Sequence, residues 1–302
     1  MKKLYIILLI LMILAGCKKT EEITMIVPFG SPQLSQLKMQ QSKDYKIDIV
    51  QGADPLVAAF GSGSHDVIFA PTNLGAKLYQ SKQTYQLLAT IVWGNYYLVT
   101  QRSDITHLQD LNEEEIIVFG QNQTSDILIK YLIDFYDISC QITYVDSVAT
   151  ASSLFIADTN QIVLVAEPSY AHLKNIYPSL QTIDIQAYYK LATSNKAIPQ
   201  ASVFVKNTLS EQQLIKIQDD LQESIEFIQQ NPLQAAQLAV SLGMNIDIDV
   251  LSDSISSGYI DYISAQQAKS DIISYFDMIL INHPALIGNQ LPDASFYRGD
   301  LG

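Results

Sequence analysis

Residues Asp66–Val99 read DVIFAPTNLGAKLYQSKQTYQLLATIVWGNYYLV, and the way this stretch alternates decides the fold. Val67–Ala70 is a short apolar run with the length of a buried strand. Pro71-Thr72-Asn73 stops it. Proline cannot continue a central strand, and Thr or Asn can cap a following helix through a side-chain oxygen. Leu74, Lys77 and Leu78 then fall at helical spacing. Gln86–Val92 predicts a second strand, closed by Trp93-Gly94-Asn95-Tyr96. One strand delivers a polar Thr-Asn pair to a helix N-terminus, and the next delivers an aromatic cluster. Ligands of open α/β sheets bind beyond the carboxyl ends of strands, so Thr72, Asn73, Trp93 and Tyr96 are candidate ligand residues. Trp93 is the sole tryptophan, and a core position at a strand end is its other reading.

The same unit recurs on both sides. Ile23–Val27 predicts a strand that ends at Pro28-Phe29-Gly30-Ser31-Pro32, followed by a helix through about Gln41. Phe29, Gly30 and Ser31 can present a side chain and backbone N–H groups to a ligand, as helix N-termini do, or form a plain β–α turn. Lys46–Val50 is a strand, and Asp54-Pro55 opens a helix that Gly61-Ser62-Gly63 closes. This alternation predicts a parallel, doubly wound sheet. Tyr96–Gln101 is expected to cross into a second lobe. There Ile116–Phe119 is a strand, Gly120–Ser125 its polar turn and Asp126–Asp137 a helix with Thr124 or Ser125 as cap. Gln121, Gln123, Thr124 and Ser125 either face the first lobe across a cleft or form an ordinary capped loop. Ile162–Ala166 is apolar throughout, as a strand buried on both faces should be. Glu167 follows it, either as a ligand carboxylate or as a group that favours the next helix N-terminus. Leu180–Ala187 predicts the last strand of this lobe. Lys196–Val205 returns through Pro199-Gln200, which adds Gln200 to the candidates. The remainder reads as helices, opened at Ser210 by a Ser-x-x-Gln capping box and restarted at Asn231-Pro232.

DVIFAPTNLGAKLY and LLATIVWGNYYLV resemble the solute-binding proteins of bacterial ABC importers, in the branch for nitrate, sulfonate, taurine and thiamine-pyrimidine precursors. Ala166-Glu167-Pro168, Ile198-Pro199-Gln200-Ala201 and Ile287-Gly288 leading to Leu291-Pro292-Asp293 fit the same branch. The resemblance implies an α/β, two-lobed, type II periplasmic-binding-protein-like clamshell with doubly wound sheets and extra C-terminal helices. Residues 24–98 with 199–302 would form the first lobe and 99–198 the second. Two crossovers make a hinge, and such proteins close on their ligands by hinge bending.

At the start, Lys2-Lys3 and the apolar Leu4–Leu14 read as a cleaved secretion signal, too short to span a bilayer as a mature helix. Leu14-Ala15-Gly16-Cys17 resembles a bacterial lipobox, which implies lipidation of Cys17 and residues 18–23 as a tether. The expected location is the outer face of the cytoplasmic membrane. Cys140 is the other cysteine, so no intramolecular disulfide framework is expected in the mature chain. The 302-residue chain carries 18 Lys and Arg against 31 Asp and Glu, a net charge of −13. That balance argues against nucleic acid, whose phosphates need clustered cations. No phosphate-binding, dinucleotide or zinc motif occurs, and the four histidines have no ligand spacing.

The expected function is therefore capture of a small molecule, without a cofactor or metal and without catalysis. The expected form is a monomer that meets an ABC permease and ATPase. Two alternatives share the fold. One is an enzyme resembling those of menaquinone or pyrimidine biosynthesis, and the other is a ligand-binding sensor accessory. Aromatic and neutral polar candidates with Glu167 suit a thiamine-type aminopyrimidine. A nitrate- or sulfonate-type anion would rest on backbone N–H groups.

Overall fold

The computed structural model describes residues 22–301, so the leader, Cys17 and most of the tether lie outside the described residues. The chain begins with β1 (Ile23–Pro28), α1 (Ser31–Ser35), β2 (Tyr45–Val50), α2 (Asp54–Ser62), β3 (Val67–Pro71), α3 (Thr72–Tyr79) and β4 (Tyr85–Val92). It then leaves for a second sheet through β5 (Tyr96–Thr100), β6 (Glu115–Phe119), α4 (Thr124–Phe135), β7 (Gln141–Val145), α5 (Val148–Ala157), β8 (Ile162–Ala166), α6 (Ser169–Ile176), β9 (Gln181–Asp184) and α7 (Ile185–Ala192). It returns with β10 (Ala201–Lys206), α8 (Glu211–Gln230), α9 (Pro232–Ser241), α10 (Ile248–Ser257), β11 (Ile260–Ser264) and α11 (Ala265–Asn282).

The first sheet has six strands in the order β11-β4-β10-β3-β1-β2, and the second has five in the order β7-β6-β8-β5-β9. The two-lobed α/β fold expected from the sequence is thus present, but neither sheet is purely parallel. β1 runs parallel to β2 and β3, whereas β10 is antiparallel to β3 and β4. β5 is antiparallel to β8 and β9. The reason is topological. The strand that begins the second sheet and the strand that resumes the first both start at the joint, while their neighbours end there.

Three local expectations change. The helix expected through Gln41 stops at Ser35 and resumes as a 3-10 turn at Met39–Gln41. Side chains replace its ladder, because Gln36 Nε2 donates to Gln33 O at 3.2 Å and the Lys38 amide donates to Ser224 Oγ at 3.2 Å. The strand expected over Leu180–Ala187 ends at Asp184, whose carboxylate accepts from the Ala187 amide at 3.2 Å and caps α7. β11 arises in a region read as helical and joins the edge of the first sheet beside β4, with a register shift between Ile260 and Ile263.

One apolar cluster extends from Ile68 and Phe204 in the first lobe, through Trp93, Tyr96, Tyr189 and Ile198, to Ile116 and Leu128 in the second. A second fills the other face of the first sheet with Leu34, Leu214, Ile217 and Leu221. Gly75 lets α3 lie flat on the first cluster. A Cβ there would sit 2.0 Å from Phe204 Cζ, and Phe204 is fully buried. Gly75→Ala should therefore overpack this contact and cost about 1–3 kcal/mol in urea unfolding. An unchanged midpoint would mean that α3 can shift off Phe204 freely.

Candidate ligand crevice at the lobe joint

The joint is built on backbone hydrogen bonds. The Gln200 amide donates to Val92 O at 2.9 Å, and its carbonyl accepts from the Thr72 amide at 3.2 Å. The segment returning from the second lobe is thereby fixed between the ends of β4 and β3. Thr72, expected as a helix cap, turns into the sheet instead. Its hydroxyl pairs with Ser202 Oγ at 2.7 Å, and Ser202 pairs with Thr90 at 2.9 Å. All three side chains are buried, so their hydroxyls satisfy one another.

Asn73 and Thr124 meet from opposite lobes. Tyr275 on α11 donates to Thr124 Oγ1 at 3.0 Å, and Thr124 donates to Asn73 Oδ1 at 3.4 Å. Burial pushes the Tyr275 and Tyr96 phenols well above their ordinary values, so both stay neutral donors. Ser125, the other expected cap, donates to Phe119 O at 2.6 Å and holds the turn after β6.

Three amides, Asn95, Gln186 and Gln200, lie on or next to the segments that link the two sheets. Asn95 occupies the left-handed region at φ 79°, which Asn tolerates, and its Nδ2 donates to Ser31 Oγ at 3.1 Å. Gln186, at the start of α7, packs on Gly94: a Cβ at that glycine would lie 2.6 Å from Gln186 Oε1. The side-chain oxygens of Asn95, Gln186 and Gln200 are buried and have no hydrogen-bond partner among the described residues. Buried amides left this way are uncommon in folded proteins and are open to a donor from a ligand. Gly30, buried at φ 106°, leads into Ser31, while Phe29, Gln121 and Gln123 are exposed in the turns after β1 and β6.

Two further candidates are engaged by hydrogen bonds within the protein. Glu167 is buried, with Oε2 accepting from the Ala171 amide at 3.2 Å and Oε1 accepting from Ser257 at the end of α10. It thus ties the second lobe to the C-terminal part of the first. Tyr97 reinforces the tie by donating to Ser257 O at 2.9 Å, and Tyr259 does so by donating to Asp184 Oδ2 at 2.8 Å. Trp93 lines a groove on the β11 side of the crossovers and donates from Nε1 to Asp261 O at 3.2 Å. Sequence reasoning placed Asn95 in the right turn without assigning it a role. It missed Gln186, Tyr275 and Ser257. Gln186 falls in a stretch read as a strand, and Tyr275 and Ser257 lie on helices whose local patterns do not single them out.

Among the described residues no group of His, Cys, Asp and Glu is arranged to hold a metal ion. None of the four histidines is among the residues at the joint. His65 pairs with Asp48 at 3.1 Å, and His172 lines a groove beside α6.

A family model described as menaquinone biosynthesis matches residues 55–261, and the chain belongs to that family. Among curated proteins none matches the sequence. An ABC transporter structure from Parabacteroides distasonis is similar to this chain with a TM-score of 0.82 and 21% identity, covering 92% of this chain and 99% of that one. The periplasmic aliphatic sulphonate binding protein of Escherichia coli gives 0.67 at 13% identity over 93% of this chain and 94% of its own. The zinc-bound ligand-binding component of an ABC-type import system from Staphylococcus aureus gives 0.65 at 16% identity, with 92% and 96% covered. The clamshell fold is therefore that of periplasmic binding proteins.

Glu167 carries a pH signature. Burial raises its carboxyl pKa above 4.5, against the opposing hydrogen bonds from Ser257 and Ala171. As pH rises through about 4.5 the unfolded chain loses this proton while the folded chain keeps it, so stability falls until the raised folded value is passed. Glu167→Gln should melt higher than the parent at pH 7, with the gap closing below the unfolded value. A parent that melts higher at pH 7 would show that the hydrogen bonds outweigh burial.

Proposed function

We propose that the chain is the solute-binding component of an ABC importer, held by a lipid on Cys17 outside the cytoplasmic membrane. Residues 24–98 with 199–302 and residues 99–198 act as the two jaws, except that Tyr96–Leu98 of β5 already lie in the second sheet. The observation that carries this reading is the chemistry of the joint. Asn73, Asn95, Gln186, Gln200, Thr124 and Tyr275 hydrogen-bond, but near neutral pH none of them exchanges protons as a general acid or base does. Such a site holds a molecule and releases it unchanged. The partners are then a permease and an ATPase, and the similarity to importer structures over nearly the whole chain supports them.

The ligand is small, polar and uncharged or amine-bearing. No Lys or Arg belongs to this set of joint residues. Arg102 is taken by Glu114 at 2.6 Å and by Asp104 at 2.7 Å, and Arg298 contacts Gln86 at 3.2 Å. An oxyanion would rest on backbone N–H groups and hydroxyls alone. An aminopyrimidine of the thiamine-precursor type offers ring N–H and amino donors to unpartnered amide oxygens, and it remains the favoured class. Phe29, Gln121 and Gln123 would border its entry, and Gly30, Ser31 and Ser125 would shape the turns around it. Glu167 acts by joining the lobes.

The family match favours a second reading, an enzyme on this clamshell. Mass spectrometry of the small molecule that co-purifies with the chain, before and after incubation, separates the two. Stoichiometric recovery of one unchanged compound supports binding; turnover to a product overturns it.

Gln186→Leu keeps most of the side-chain volume and removes the amide. It should weaken that compound about tenfold in titration calorimetry while leaving unliganded melting unchanged or slightly higher, because an unpartnered buried group is removed. Unchanged affinity would remove Gln186 from the site. Cys17→Ala should leave the exported protein in the soluble fraction. A variant that pellets with membranes like the parent would exclude anchoring at that cysteine.

A further inference from the structure

We infer that the groove behind the crossovers is a second binding site, separate from the crevice, for a small organic cation of the arylalkylammonium kind. Its position follows from strand order. The chain leaves the first sheet from β4 and re-enters at β10, with β3 and β1 on one side of that pair and β11 on the other. The crevice turns follow β1 and β3; the groove borders β11.

The groove has a volume of about 700 Å³, within the range of small-molecule sites. Trp93 and Tyr259 are its aromatic lining residues, Ile255 is among its apolar ones, and Asp261 and Asp271 are its acidic ones. No lysine, arginine or histidine lines it. Among the described residues neither aspartate forms an ion pair. Lys196, the nearest basic residue in the chain to Ala197 in the groove wall, donates to Ser270 Oγ at 2.6 Å instead. Asp271 Oδ1 accepts from the Ala197 amide at 3.0 Å, and among the described residues no donor reaches its other oxygen. An apolar body with one ammonium group meets both demands: the ring lies on aromatic and aliphatic surface, and the cation sits between carboxylates and indole.

The groove wall also touches the segments that link the two sheets. The Trp93 amide donates to Tyr259 O at 2.9 Å, Tyr259 reaches Asp184 of the second lobe, and Ala197 lies on the returning crossover. A cation held here contacts the segments that must move when the lobes part, so its occupancy biases their equilibrium.

Because Trp93 is the chain's sole tryptophan, its fluorescence reports the site directly. Phenethylammonium chloride titrated into the purified protein should give a saturable change. The neutral isostere 2-phenylethanol should bind at least tenfold more weakly. Asp261→Asn combined with Asp271→Asn keeps both shapes and the acceptor for Ala197, and should weaken the ammonium probe at least tenfold. Asp261→Asn alone, at an exposed residue whose contact with Trp93 is through its backbone carbonyl, should weaken it about threefold. The absence of a saturable change, equal responses to the ammonium and the alcohol, or unaltered affinity in the aspartate variants would each overturn the assignment.

Discussion

Everything at the joint depends on one residue's backbone. Gln200 donates to the end of β4 and accepts from the start of α3, which fixes the returning segment beside the departing one. A clamshell needs its two crossovers together, because separate tethers would let the lobes twist out of register. Here the pairing is made of main-chain bonds in a buried setting, where breaking one leaves a desolvated donor or acceptor. The side-chain oxygen of Gln200 then has no hydrogen-bond partner among the described residues.

On this base the lobes meet through contacts of different chemistry, two of which contrast most. One is the neutral chain Tyr275, Thr124 and Asn73; the other is Glu167 against the end of α10. The neutral chain is indifferent to pH, since both nearby phenols are held protonated by burial. Glu167 is not, since burial and its hydrogen bonds oppose each other in setting its charge. The continuous apolar cluster through Trp93, Tyr96 and Ile198 explains why the lobes lie this close. Separating them exposes apolar surface at roughly 25 cal/mol for each Å², so small polar contacts decide only the orientation.

The alternation in Asp66–Val99 was enough to read an α/β sheet, because strand, capped turn and helix each leave a local mark, but it predicted parallel strands where both sheets are mixed. The candidate site was only partly legible. Asn73, Thr124 and Gln200 lie at strand and helix ends, where pattern points to them. Gln186 and Tyr275 lie within helices and reach the joint only through long-range packing. Trp93 shows the opposite failure. The signal was right that it follows a strand end, but β11, unforeseen after α10, supplies the edge on which its indole rests. The strand was missed because Ile260–Ser264 is short and lies between two helical patterns. Its alternation makes sense only once β4 is beside it.

A clamshell of this kind can bind or catalyse, and the difference lies in what its joint can do with a proton. Amides and aliphatic hydroxyls do not titrate in the physiological range, and buried phenols have moved further from it. Glu167 is the carboxyl whose raised pKa suits acid–base work, and raised carboxyl pKa values do cluster at active sites. Geometry weighs against that use here. Each of its oxygens accepts a hydrogen bond within the protein, from Ser257 on one and the Ala171 amide on the other. A general acid or base must reach its substrate proton directly or through one water. To do so Glu167 would have to break the contact that joins α6 to α10, which is the opposite of what closure on a substrate requires. The same residue that makes an enzyme conceivable on this fold is therefore, in this chain, better placed to hold the jaws than to transfer a proton between them.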